Sequence, residues 1–135
     1  MALAGASPEA VTRTLGQPQG VRGASASGAS SVARQRFVVN GGRVTVTYCG
    51  GAAPDSERKA ASFELRYDRP LPTAAALLGR TGLPPGQVQV VMESPSHVEL
   101  GPRPGSKLAE LLVRAQARRV EDGWQTVVVD FAVRC

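Results

Sequence analysis

ArgGlnArgPheValValAsnGlyGlyArgValThrValThrTyrCys, residues Arg34 to Cys49, is the stretch whose reading decides the fold. Two β-favouring runs flank Asn40-Gly41-Gly42, a strong short-range hairpin signal. Phe37 and Val39 fall on one face of the first run; Val44, Val46 and Tyr48 fall on one face of the second. Arg36, Arg43, Thr45 and Thr47 point the other way, so one side seeks a core and the other seeks water. A turn at Asn40-Gly41 sets Phe37 opposite Val44, and a turn at Gly41-Gly42 sets it opposite Val46. The faces are the same in both, so periodicity leaves the register open.

Downstream, Ala61 to Asp68 alternates without a break: Ala61, Phe63, Leu65 and Tyr67 against Ser62, Glu64, Arg66 and Asp68. That is a half-buried strand, and with the hairpin it makes a meander whose apolar face needs a cover. Upstream, Ser7 is a good N-cap, Pro8 suits the first helical position, and Val11 and Leu15 share a face. Gly16 and Pro18 stop the helix. Gln19 to Ser31 is dominated by Gly, Ala and Ser and reads as a flexible loop over 19–31.

Beyond the meander, Thr73 caps a second short helix to Gly79. Gln87 to Met92 and His97 to Leu100 form a second hairpin, which Pro95 and Pro102 confine to short lengths or an edge. Ser106 to Arg119 reads as a third helix, with Leu108, Leu111, Leu112 and Ala115 as its stripe. Glu121-Asp122-Gly123 is a turn, and Trp124 to Cys135 is a last strand with Val127, Val129, Phe131 and Val133 on one face. The expectation is a single α+β domain over 1–135. Its sheet is mostly antiparallel, with about five to six strands packed by two or three short helices in the order α-β-β-β-α-β-β-α-β. Leu-Gly and then Pro closes both of the first two helices, at 15–18 and 78–84, a faint echo of a tandem repeat.

At 135 residues with 42% hydrophobic content, the chain can bury a core without a metal. No apolar run approaches the ~18 residues of a membrane span. Met1 to Pro8 has neither a basic nor an apolar signal-peptide region and can be the front of a mature chain. The net charge of +5 comes from 14 arginines against 2 lysines; a GC-rich genome and an anion-binding surface both account for that bias. Cys49 and Cys135 can pair or stay as thiols; face parity in a flat sheet sets them apart.

Ser7-Pro8-Glu9-Ala10-Val11, then Leu15-Gly16-Gln17-Pro18, a loop, and the strand pair at Arg34 to Tyr48 resemble the small envelope lipoproteins of the SmpA/OmlA type and the β-lactamase-inhibitor-protein fold. There a capped helix ends in Leu-Gly-x-Pro and a meander follows. The resemblance covers residues 7–48. The long Gly/Ala/Ser insertion and the second half of the chain depart from it. It implies an extracytoplasmic (periplasmic, cell-surface or secreted), non-catalytic protein-binding module.

The residues show no catalytic constellation. His97 is the single histidine, Cys49 and Cys135 have no metal-ligand spacing, and the carboxylates are scattered. No glycine motif follows a strand into a helix, so no nucleotide cofactor is expected. The candidate binding residues are Arg34, Arg36 and Arg43 at the first hairpin, Arg114 and Arg118 near the end of the third helix, and Trp124 as the aromatic left for the surface. The function expected is a non-enzymatic protein-binding or assembly module with a protein partner. The alternative is an arginine-dependent nucleic-acid binder.

Overall fold

Alternating apolar and polar residues in most of this chain build one antiparallel sheet. The computed structural model describes residues 4–18, 21–22, 34–39, 41–49, 57–120 and 123–133. The strands are β1 (Val21–Arg22), β2 (Arg34–Val39), β3 (Gly42–Cys49), β4 (Lys59–Leu71), β5 (Val88–Ser94), β6 (His97–Pro102), β7 (Leu112–Val120) and β8 (Gly123–Phe131). Helix α1 (Pro8–Leu15) precedes the first four and α2 (Ala74–Gly79) the last four. The spatial order is β1-β2-β3-β4-β8-β7-β6-β5, antiparallel at every step. Each half is thus a helix followed by a meander running inward from an edge, and the two halves meet through their last strands.

Both helices start as their caps dictate. Ser7 Oγ accepts from the Ala10 amide at 3.3 Å, and Thr73 Oγ1 accepts from the Ala76 amide at 3.1 Å. Val39 pairs with Gly42 and Phe37 with Val44, so the chain reverses between Val39 and Gly42. Gly41 takes the positive φ of +80° that this turn demands.

The expected five to six strands and third helix are corrected here. Seven strands have six residues or more, and the first, of two residues, makes eight. Residues 106–119 are not a helix. Lys107–Glu110 is one 3₁₀ turn, and the chain then extends as β7. The order becomes α-β-β-β-β-α-β-β-β-β. Ala and Arg favour helix as single residues, but Leu112, Ala115 and Ala117 are buried while Arg114 and Arg118 are exposed. Pairing with β6 on one side and β8 on the other overrides that propensity. The loop expected over 19–31 falls outside the described residues except for Val21 and Arg22, which pair with β2. Cys135 and the Glu121-Asp122 turn also lie outside them.

One face of the sheet carries the core. Phe37, Val44, Leu65, Val127 and Ala117 form one row across β2, β3, β4, β8 and β7; Val46, Phe63, Val129 and Ala115 form the next. Val11 from α1, Leu77 and Leu78 from α2, and Leu108 from the 3₁₀ turn join the same buried cluster. Val127 and Val129, both fully buried, each contribute about 2 kcal/mol of hydrophobic stabilisation.

Register shifts interrupt several of the strand pairs, and two departures from the simple pattern matter for the faces. Gln35 is buried on the core side of β2, where the Tyr48 hydroxyl donates to its Oε1 at 2.7 Å. At the start of β8, Arg118 pairs with Thr126 but Arg119 pairs with Trp124, leaving Gln125 as an extra residue. This bulge flips Trp124 from the face its parity predicts onto the buried side, at 8% exposure. Gln125 Nε2 donates instead to the Tyr67 carbonyl at 2.8 Å.

Gly123 sits at φ +140°, where an added Cβ would lie 2.7 Å from the Leu71 carbonyl oxygen. Gly123→Ala is expected to destabilise the fold by about 2 kcal/mol or more in urea titration. Tyr48→Phe leaves Gln35 Oε1 buried without its donor, with an expected loss of about 1–3 kcal/mol at neutral pH. Burial also pushes the Tyr48 phenol well above its usual range. Below pH ~10 the folded and unfolded chains both keep that proton; above it the unfolded chain releases it first, so stability falls as pH rises. Urea midpoints between pH 8 and 11 should decline, less steeply in Tyr48→Phe.

Candidate binding face of the sheet

The alternation that points apolar side chains at the helices points their polar neighbours away from them. Register fixes how these outward residues line up. Val38, Arg43, Arg66, Thr126, Arg118 and His97 stand side by side across β2, β3, β4, β8, β7 and β6. Arg36, Thr45, Glu64, Val128, Gln116 and Glu99 form the next row, and Arg34, Thr47, Ser62, Asp130 and Arg114 a third. None of these side chains is buried. Six arginines stand against three carboxylates in these rows, and the exposed Asp68 beside Arg66 adds a fourth, so the face carries a surplus of two positive charges. The two strands in the middle supply Arg66, Glu64 and Ser62 from β4 and Thr126, Val128 and Asp130 from β8.

Five of the six expected binding residues share this face. Arg34, Arg36 and Arg43 reach it from the first hairpin, as the alternation requires. Arg114 and Arg118 reach it because β7 is a strand; on a helix they would have faced water elsewhere. Trp124 is not among them, being buried by the bulge in β8. Arg66 is the residue the sequence reading passed over. Its place on the polar side of 61–68 was visible, but only the register Arg43↔Arg66 shows that two arginines stand directly opposite each other.

The charges on the face are handled in two ways. Arg114 Nε donates to Asp130 Oδ2 at 3.0 Å, a half-exposed cross-strand ion pair. Arg43 and Arg66 have no such partner among the described residues. They line a shallow concavity of about 320 Å³ with Tyr67, Asp68 and Gln125. A second, of about 240 Å³, lies between Arg34, Thr45, Thr47, Ser62 and Glu64. In a separate concavity of about 360 Å³, lined also by Gly41, Asp68, Arg69 and Leu71, the Arg80 guanidinium sits 5.2 Å from the centre of the Tyr67 ring. Burial raises the Tyr67 phenol above its usual value, and the Arg80 charge partly offsets that.

Cys49 is disulfide-bonded, and the sequence holds one other cysteine, Cys135. Cys49 on β3 and His97 on β6 are separated by four strand spacings, about 19 Å, so they cannot act as a nucleophile and base. No three His, Cys, Asp or Glu side chains among the described residues are grouped as a metal ion needs. No helix among them is long and apolar enough to cross a membrane. Neither a family model nor a curated protein nor a solved structure matches the chain significantly.

The Arg114–Asp130 pair lies in water-screened surroundings, so its coupling should be below about 1 kcal/mol. A double-mutant cycle with Arg114→Gln and Asp130→Asn, read by urea unfolding, should return that value at low salt and less at high salt.

Proposed function

We propose that the chain is a non-enzymatic protein-binding or assembly module that works outside the cytoplasm and meets its protein partner with the open face of the sheet. One observation carries the reading. Across six neighbouring strands the outward residues form a continuous polar surface with a charge surplus, and no described element packs on it. A surface of this width presents side chains at fixed spacing, which suits recognition of another surface. The disulfide at Cys49 supports an oxidising compartment, where such bonds form and persist. The envelope-lipoprotein resemblance of residues 7–48 leans the same way. The arginine surplus also suits nucleic acid, and the two readings share the face but differ in partner.

Site-specific photo-crosslinking in cells distinguishes a partner on this face from one elsewhere. Crosslinkers at Arg36 and Thr45 should capture one discrete protein, recovered in envelope or secreted fractions, while one at Arg13 on α1 should not. Capture from the Arg13 position alone, or recovery only from cytosol with both thiols free, would sink the proposal.

A further inference from the structure

Arg43 and Arg66 stand directly opposite each other on paired strands. Like charges at that position repel, and a fold that needs only stability avoids them. The same face shows the alternative, because two strands away Arg114 stands opposite Asp130 and bonds it. At Arg43 and Arg66 the chain places two cations, then a hydroxyl at Thr126, then a third cation at Arg118 with His97 beside it. Among the described residues no carboxylate pairs with Arg43, Arg66 or Arg118. Asp68 lines the concavity beside the first two but is exposed and bonds neither.

We infer that this row receives carboxylates, so that the partner's contact surface is an acidic protein segment whose Asp or Glu side chains lie between Arg43 and Arg66 and over Arg118. The inference rests on the protein-binding reading above and names the chemistry of the partner. A guanidinium presents a planar fork of donors that matches a carboxylate, and a carboxylate between two such forks is attracted to both, which outweighs their mutual repulsion. The row spans about 19 Å from β3 to β6, room for several acidic side chains.

Two observations favour carboxylates over a phosphate backbone. Glu64 and Glu99 stand in the adjoining row and Asp130 in the one after. A polyanion with a charge at every step would run over them, whereas discrete carboxylates can seat on the arginines alone. Bases would also need rings to stack on. All six aromatic side chains of the chain, Phe37, Tyr48, Phe63, Tyr67, Trp124 and Phe131, are buried in the core.

The test is a titration of the full, oxidised chain with a labelled peptide carrying one glutamate in every three residues among Gly and Ser, and with a single-stranded oligonucleotide of equal charge, at low and rising salt. The peptide should bind more tightly than the oligonucleotide. Arg43→Gln with Arg66→Gln should weaken it about tenfold or more. Arg13→Gln with Lys107→Gln removes the same charge away from the face and should change affinity less than about threefold. Arg43 and Arg66 are exposed and repel each other, so the first pair of substitutions should keep or raise the melting temperature. Equal weakening by both pairs, tighter oligonucleotide binding, or no binding of either probe at low salt each overturns the inference. A partner protein crosslinked to Arg36 and Thr45 whose affinity ignores Arg43→Gln/Arg66→Gln would overturn it while leaving the protein-binding reading in place.

Discussion

The whole architecture depends on one strand pairing. β4 and β8 lie antiparallel at the centre of the sheet, with Phe63 opposite Val129 and Leu65 opposite Val127. Each half of the chain forms local hairpins, but a hairpin or short meander with one oily face is marginal alone. Joining the halves through their last strands converts two narrow sheets into one. The Phe63 and Phe131 rings, 5.7 Å apart, pack across the seam. The Phe63–Val129 and Leu65–Val127 pairs join residues more than sixty apart, so forming this seam costs more loop-closure entropy than the local hairpins do.

The seam also decides where the helices go. β2, β3 and β4 point Phe37, Val46 and Leu65 inward, whereas β7 offers Ala115 and Ala117, both fully buried. α2 packs against β4, β7 and β8, over the low ground those alanines leave, and fills it with Leu77 and Leu78. Large side chains under one part of the cover and small ones under another are how a close-packed layer of uneven height is made. With one face covered in this way, the opposite face is left to the polar half of the alternation. The binding surface is the reverse side of the core, set by the same two-residue period.

How far the sequence reveals this depends on whether a feature is local. The capped helices at Ser7 and Thr73, the strand at Phe63–Tyr67 and the hairpin faces were legible because each rests on neighbours in sequence. The choice between Phe37↔Val44 and Phe37↔Val46 was not, since both keep the same faces together. β7 was hidden because Ala115 and Ala117 sit where a small residue is needed under α2, and small residues also suit a helix. Asp122-Gly123, followed by alternating apolar residues, was the hairpin cue that argued the other way. Trp124 was misplaced because parity counting assumes no bulge. The cluster Arg43, Arg66 and Arg118 joins three distant strands, so only the assembled register brings it together.

That register bears on why the sheet keeps opposed arginines at all. Two unit charges about 5 Å apart in water repel by less than about 1 kcal/mol, and salt reduces that further. The penalty is too small to threaten a core of this size, and the long side chains can splay to lower it. No ion pair offsets it among the described residues, although Glu64 and Asp68 stand two residues to either side of Arg66 along β4 and a single exchange could have put an acid opposite Arg43. The arrangement therefore gives up a little stability in the free chain. A carboxylate seated between the two guanidiniums is attracted to both at once, and those two attractions outweigh the single repulsion that persists between the cations.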